Sequence, residues 1–388
     1  MLDSYDVIVS GAGPSGSRAA FLCAQAGLST ALLERRQLPR EKCCAGGLLA
    51  RAEMRLGEQG RGLPFESGVE GLCIVMGGRT YIYRSGRELG RTVVRRDLDA
   101  HLVEQARKAG CHTRQATKAE SVEETASEVL VRTESGSLRA KYLVLAEGAS
   151  GGSASRLLGE YPRGSVINGA ALFCRDRLSP GLATFLLPGG RPGIPELTEA
   201  GAGICAAFPM REGTVLSTIS RQGSGRVLDA LRSVAGRLSL EPCGEGCAHP
   251  IPTAMRPRLA TRRCLAVGDC AGLASPFSGE GLTPALESAG LAAEAVISSV
   301  REGRPCLAHY DRALRSRAGR DQLLARLTGE AVRLAVKGGW AAPILAGLER
   351  DPYSIQAAAA VAAEEDGARR FLMRTLPRLP VTLAKGAR

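Results

Sequence analysis

Hydrophobic positions along the chain change period in a fixed order. A short apolar run, YDVIVS, is followed by SGSRAAFLCAQAG with helical spacing and then by a second apolar run, STALLE. This switch from strand to helix and back predicts a β-α-β unit within the first 35 residues. A loop rich in Pro, Arg and Gly follows from Gln37 to about Leu49. Strand-like runs then come at LCIVM and TYIYR, before RRDLDAHLVEQARKAG, which reads as a helix with acidic residues early and Gly110 at its end. The alternating runs EVLVRTE and LRAKYLVLAEG return the chain to the first sheet. From about Val166 to Ser239 the pattern becomes β-rich, with INGAALFCRD, AGICAAFP and TVLSTISR punctuated by Gly and Pro. RCLAVGDC then reads as a buried strand ending in Gly-Asp, followed by the long helix LTPALESAGLAAEAVISSV. Beyond Arg304 the pattern is helical and basic, with no internal repeat and no low-complexity tract.

At 388 residues the chain exceeds one compact core. The pattern divides it into residues 1–165 and 240–303 as one domain, 166–239 as a β-rich domain sharing a sheet with residues around 70–95, and 304–388 as a helical C-terminal region. Hydrophobic residues make up 44%, which is ample for a core, yet no stretch reaches eighteen uncharged apolar residues. The start MLDSYDVIVSG lacks a basic region and a cleavage site, so the expected location is the cytoplasm. Twelve cysteines are scattered without a repeated C-x-x-C, and the close pairs are Cys43-Cys44, Cys243/Cys247 and Cys264/Cys270. The expectation is mostly reduced thiols and no metal. A net charge of +12 suits an anionic cofactor or membrane surface. With only 4% aromatic residues and no basic stripe interleaved with them, nucleic acid is not an expected partner.

Gly11-x-Gly13-x-x-Gly16 sits directly after a strand and opens a helix, the context of a dinucleotide turn. Gly11 allows the tight turn, Gly13 lets a pyrophosphate approach the backbone, and Gly16 lets helix and strand pack closely. The helix start adds N–H donors and a positive dipole, with Ser15 among the candidate contacts. Glu34 ends the second strand, where a carboxylate accepts from a ribose 2′-OH and repels a 2′-phosphate; Arg35 follows it. No second fingerprint exists for a resident nicotinamide. Far downstream, Asp269 at a strand end and the turn Gly279-Glu280-Gly281 before a helix suit a flavin's ribityl chain and the N1/C2=O side of its ring.

In order and distance, YDVIVSGAGPSGSRAA, RRDLDAHLVEQARKAG, LVLAEGASG and VGDCAGLASPFSGEGL resemble the flavoprotein superfamily of para-hydroxybenzoate hydroxylase. Within it, LPREKCCAGGL is similar to the Lys-x-Cys-Gly-Gly-Gly-Leu loop of the geranylgeranyl reductase family. Lys42, Cys44, Gly46, Gly47 and Leu48 match, and Ala45 replaces a Gly. The resemblance implies an α/β fold: a Rossmann-like FAD-binding domain of the para-hydroxybenzoate hydroxylase type, an inserted β-sheet substrate domain and a helical C-terminal region. It further implies that Gly16 and Glu34 hold the adenosine end of FAD and that Cys44, Ala45 and Gly47 line the flavin ring. By the same resemblance Arg96 contacts the cofactor, with a solvated side chain at the helix start as its alternative, Asp269 holds the ribityl or phosphate region, and Gly281 with Leu282 meets the ring.

Cys44, preceded by Lys42 and Arg40, is the candidate proton donor for saturating a C=C bond, where hydride leaves the flavin and a proton reaches the other carbon. The expected function is therefore FAD-dependent reduction of an isoprenoid or other apolar substrate, with NAD(P)H or a small electron carrier as transient donor. Departures from the family keep alternatives open. GICAAFP retains Phe208-Pro209 of a Tyr-x-Trp-x-Phe-Pro segment but has Ile204 and Ala206 at the aromatic positions, and the Asp-Gly motif reads Glu147-Gly148. One alternative is a monooxygenase using NAD(P)H and oxygen; another is a non-catalytic FAD-binding partner or scaffold subunit. A halogenase requires Trp-x-Trp, and the only tryptophan is Trp340. His249 reads as a structural loop residue, with acid–base work as its alternative. LAVKGGWAAPILAGL reads as core-covering helices, with peripheral membrane contact for collecting a lipid as its alternative.

Overall fold

The computed structural model describes residues 3–84, 86–187, 197 and 204–349. β1 (Ser4–Ser10), α1 (Pro14–Gln25) and β2 (Thr30–Leu33) are followed by the cysteine loop, β3 (Gly47–Leu49) and α2 (Ala50–Leu56). Next come β4 (Ser67–Val69), β5 (Gly71–Met76), β6 (Arg79–Arg84) and β7 (Gly90–Thr92), then α3 (Arg95–Lys108). β8 (His112–Arg114), β9 (Ser121–Glu124), β10 (Val129–Thr133) and β11 (Gly136–Leu145) lead into α4 (Gly152–Leu158). β12 (Val166–Cys174), β13 (Leu182–Leu186), β14 (Cys205–Met210) and β15 (Gly213–Ser220) precede α5 (Ser224–Arg237). β16 (Cys247–Pro252), β17 (Cys264–Ala266), α6 (Leu282–Arg301), α7 (Leu307–Lys337) and α8 (Ala341–Glu349) complete the described chain.

The first sheet runs β8-β2-β1-β11-β10-β9, with β17 also beside β11. β1 is central and parallel to both neighbours, Val7 lying opposite Thr30 and Tyr142. Covered on both faces, it reads as a nearly unbroken apolar run, and Val7, Ile8 and Val9 are fully buried. α1 closes with Gly27 at φ +84°, and the Leu28 N–H donates to the Cys23 carbonyl, the left-handed stop that glycine permits. α6 presents Ala285, Ala289, Ala292 and Ala293 as buried small residues and packs against α1. This is the predicted α/β fold.

The second sheet, β16-β12-β15-β14-β13-β5-β6, is mainly antiparallel and joins residues far apart in sequence. β5 pairs in parallel with β13 and antiparallel with β6, so residues 71–84 belong to this sheet, whereas β7 pairs with β3 and β4 in a separate small sheet. β16 does too, with His249 opposite Gly169. The expected boundary at 239 therefore shifts: the second sheet continues to Pro252, and the chain rejoins the first sheet only at β17. CAHPIP alternates too weakly for its sequence to reveal which sheet takes it. The expected helical region 304–388 is helical over α7 and α8; residues 350–388 lie outside those described. Among the described residues no helix is long and apolar enough to cross a membrane.

Arg256 fastens the turn after β17. It is fully buried and donates to the carbonyls of Cys270 at 2.7 Å and Gly159 at 2.5 Å and to the Ser155 hydroxyl. Its guanidinium lies 3.7 Å from the Tyr161 ring centroid, and the Tyr161 hydroxyl donates to the Asp269 carbonyl. One buried cation thus holds α4 and the Gly268-Asp269 turn together. Replacing it removes the donor from two carbonyls and a hydroxyl and empties a buried site, so Arg256→Ala is expected to lower unfolding free energy by about 3 kcal/mol or more. Urea unfolding monitored by circular dichroism checks this, as a fall in midpoint at unchanged slope.

Candidate functional site

A cavity of about 1800 Å³ runs from the glycine turn past the cysteine loop to the second sheet and the C-terminal helices. At one end the three glycines have separable roles. Gly11 has φ +106°, and a Cβ there would lie 2.3 Å from the Ala146 carbonyl oxygen. A Cβ on Gly16 would lie 1.8 Å from the Gly11 oxygen, so this residue makes the helix–turn contact and does not line the cavity. Gly13 lines the cavity with nothing within 4 Å of its would-be Cβ, an open cradle at the start of α1. Ser15 is buried on the same wall. A free approach to backbone at a helix N-terminus fits a pyrophosphate.

Glu34 also lines the cavity and is buried, but its carboxylate is already engaged. It accepts from the Ala12 N–H at 3.1 Å, the Arg36 N–H at 3.1 Å and Arg40 at 3.2 Å. Its remaining lone pairs stay available to a ribose. Arg35 is exposed on the cavity wall. Arg40 in turn donates to Asp99 at 2.9 Å, and Asp99 is held from its other side by Arg95 at 3.0 Å. Asp99 has no exposed surface, and two arginines compensate its burial.

Arg95 continues this chain to the cysteine loop, where its charge lies close to Cys44. Burial opposes its charge, but Asp99 and Cys44 more than offset this, and its pKa stands above the ordinary arginine value. Arg95 lines the cavity, whereas Arg96 does not: it is 46% exposed and pairs with Asp97 and Glu41. Of the two, it is thus Arg95 and not the expected Arg96 that the fold turns into the cavity. Successive helical residues point about 100° apart, so one register step moves a side chain from cavity to solvent. The spacing Arg95…Asp99 was the legible signal, since i and i+4 share a helix face.

Cys44 is half-buried on the cavity wall, its sulfur accepting from the Gly46 N–H at 3.4 Å. Ala45 and Gly47 line the wall beside it, with Phe208 so close that a Cβ on Gly47 would lie 2.9 Å from its ring. Asp269, Gly281 and Leu282 face the same space, a Cβ on Gly281 falling 3.3 Å from the Asp269 carboxylate. Gly281 precedes α6, whose first turn is capped by Glu280 accepting from the Thr283 N–H at 2.7 Å. Burial raises the Asp269 pKa against the pull of Lys42 and Arg95. Burial likewise lowers that of Lys42, which Asp269 partly restores. In the altered Asp-Gly motif, Glu147 is on the cavity wall and accepts from the Ser10 hydroxyl at 2.9 Å and the Ser153 N–H.

His249 stands on β16 and lines the cavity, which differs from the loop role read in the sequence. Its Nδ1 is buried without a hydrogen-bond partner. Burial, with Lys42 and Arg95 nearby, lowers its pKa to about 4, so the ring is neutral at pH 7. Beyond the cysteine loop the cavity turns apolar. Leu72, Ile74, Phe185, Ile204, Ala206 and Phe208 of the second sheet face Val332, Val336, Ile344 and Leu345 of the C-terminal helices. Phe185 and Phe208 meet edge to face at 6.5 Å, and Ile204 and Ala206 leave space where aromatic side chains were absent from the sequence motif.

Residues 4–166 match the FAD binding domain family. Menaquinone reductase of Mycobacterium tuberculosis is 28% identical over 324 residues, covering 75% of this chain and 76% of that protein. Digeranylgeranylglycerophospholipid reductase of Methanocella arvoryzae is 26% identical over 342 residues, covering 82% and 85%. A geranylgeranyl bacteriochlorophyll reductase-like protein of Thermoplasma acidophilum shares the fold, with a TM-score of 0.81 at 21% identity over 98% of this chain and 100% of that one.

The glycine geometry separates packing from binding. Gly13→Ala is expected to leave the unfolding midpoint of the cofactor-free protein nearly unchanged and to weaken FAD retention about tenfold or more. Gly16→Ala is expected to lower stability itself. Thermal unfolding and quenching of flavin fluorescence distinguish the two. For His249, the unfolded chain takes up a proton near the ordinary pKa of 6.5 and the folded one near 4. Its contribution is complete above about pH 6.5 and is lost as pH falls toward 4, on the order of 3 kcal/mol. His249→Asn should flatten that acid limb in denaturant midpoints measured across the range.

Proposed function

Taking the chain as the FAD-dependent oxidoreductase that its FAD binding domain and reductase relatives make it, we propose that it saturates C=C bonds in the apolar tail of an isoprenoid lipid. The observation carrying this reading is the continuity of one cavity from the glycine turn, past Cys44, into an apolar lobe. Reduced FAD, when bound, supplies the hydride. The chain's residues do the remaining work.

Gly13 and the start of α1 receive the pyrophosphate, Glu34 accepts from the ribose, and Asp269 faces the ribityl region. Cys44, positioned by Arg95, delivers the proton to the carbon that does not receive hydride. The apolar lobe excludes water and holds the tail by burial, which contributes about 0.8 kcal/mol per CH₂. On and just after α7, Leu323, Leu327, Leu334 and Trp340 are more than half exposed, and Leu327 also lines the cavity. Arg326, Arg333 and Lys337 share that helix. An exposed apolar row among cations suits an anionic bilayer from which a lipid tail enters.

The test uses FAD-loaded protein, reduced without air and mixed with a polyprenyl quinone in anionic vesicles. Mass spectrometry after reoxidation of the quinol ring in air is expected to show a gain of two hydrogens per saturated bond of the tail. Cys44→Ser should slow saturation about a hundredfold while the flavin remains reducible. Leu327→Glu with Trp340→Glu should slow it on vesicles but not with detergent-dispersed substrate. No mass gain with polyprenyl lipids, or an added oxygen atom dependent on O₂, overturns the assignment and in the second case selects a monooxygenase.

A further inference from the structure

Two sulfurs that the proton-donor role leaves unused meet on the cavity wall. Cys43 and Cys247, 204 residues apart in sequence, are joined as a disulfide with Cα atoms 5.6 Å apart. Both are half-buried and both line the cavity. Cys43 immediately precedes Cys44, and Cys247 begins β16, two residues before His249. The bond therefore ties the cysteine loop to the edge strand of the second sheet, across the point where the polar and apolar parts of the cavity join.

Sulfur chemistry in this chain is concentrated there. Ten cysteines are free among the described residues, and of these only Cys44 lines the cavity. Cys23, Cys111, Cys205, Cys264 and Cys270 are core residues whose thiols burial pushes up to about 12, so they are poor nucleophiles. The disulfide, by contrast, is open to a small thiol entering the cavity. It also adjoins a third thiol, Cys44, with Arg95 and Lys42 close by. A disulfide in such a position is exposed to exchange rather than sealed as a staple.

We propose that Cys43–Cys247 is a redox-active disulfide through which a small dithiol passes an electron pair to the flavin. This rests on the function proposed above, which puts the flavin ring beside the Cys44 loop. In the first half, one donor thiolate attacks a sulfur of the bond and the second donor thiol completes the exchange. The donor leaves as a disulfide, and Cys43 and Cys247 remain as thiols. In the second half, the Cys43–Cys247 bond re-forms and releases two electrons and two protons, which a bound oxidised flavin would accept. The protein thereby holds two stores of two electrons each, and dithiols become the class of donor that feeds it.

The experiment mixes FAD-loaded full-length protein with dithiothreitol in the absence of air and follows flavin absorbance, with light-driven reduction of the same samples as a parallel arm. Bleaching by dithiothreitol is expected in the wild type and about tenfold or more slower in Cys43→Ser and Cys247→Ser. Light-driven bleaching should be equal in all three, which shows that the variants fold and hold FAD. Alkylation with mass mapping should find Cys43 and Cys247 protected before the dithiol and labelled after it. Equal dithiothreitol rates in all three proteins, or labelling of both cysteines in the untreated protein, overturns the proposal while leaving the reductase function standing. A protein that takes up no FAD overturns that function and this coupling together.

Discussion

The site depends on a buried chain of charge that begins at Glu34, passes through Arg40, Asp99 and Arg95, and ends at Cys44. A carboxylate with no exposed surface is tolerable only when its charge is matched by hydrogen-bonded cations, and Asp99 has one on each side. The consequence is geometric. Two arginines committed to one buried carboxylate hold the end of β2, the first turn of α3 and the cysteine loop at fixed separations. Residues at opposite ends of the polar part of the cavity thus share one electrostatic framework.

Around that framework the cavity is divided by chemistry. Its first part combines backbone approach at Gly13, cations at Lys42 and Arg95 and a buried carboxyl at Asp269, an arrangement suited to a negatively charged cofactor that gains further charge on reduction. Its second part is apolar and suits a ligand held by burial alone. Cys44, the Cys43–Cys247 bond and His249 lie along the junction, where a reactive carbon would meet both parts. The neutral state of His249 follows from burial beside two cations, so it offers hydrogen bonding without adding a third positive charge.

Most of the first part was legible because it depends on short-range rules. The turn at Gly11, Gly13 and Gly16 is specified by backbone sterics, and Glu34 and Asp269 follow from strand ends that the apolar runs mark out. Arg95, not Arg96, faces the cavity; adjacent basic residues at a helix start are indistinguishable by composition, and only Asp99 one turn later breaks the tie. His249 was read as a loop residue because Pro250 and Pro252 follow it closely, although β16 is an edge strand, where proline is tolerated.

The sequence by itself determined the β-α-β opening, the dinucleotide turn, the cysteine loop and the α/β class, since each rests on residues within a few positions of one another. Tertiary structure alone decided that β16 joins the second sheet and that Cys43 meets Cys247. It also joined the sheet wall at Ile204 and Phe208 to the helix wall at Val336 and Leu345 as one apolar lobe. Those outcomes depend on pairings across tens to hundreds of residues, where loop closure and burial of the whole core, not local propensity, select the partner.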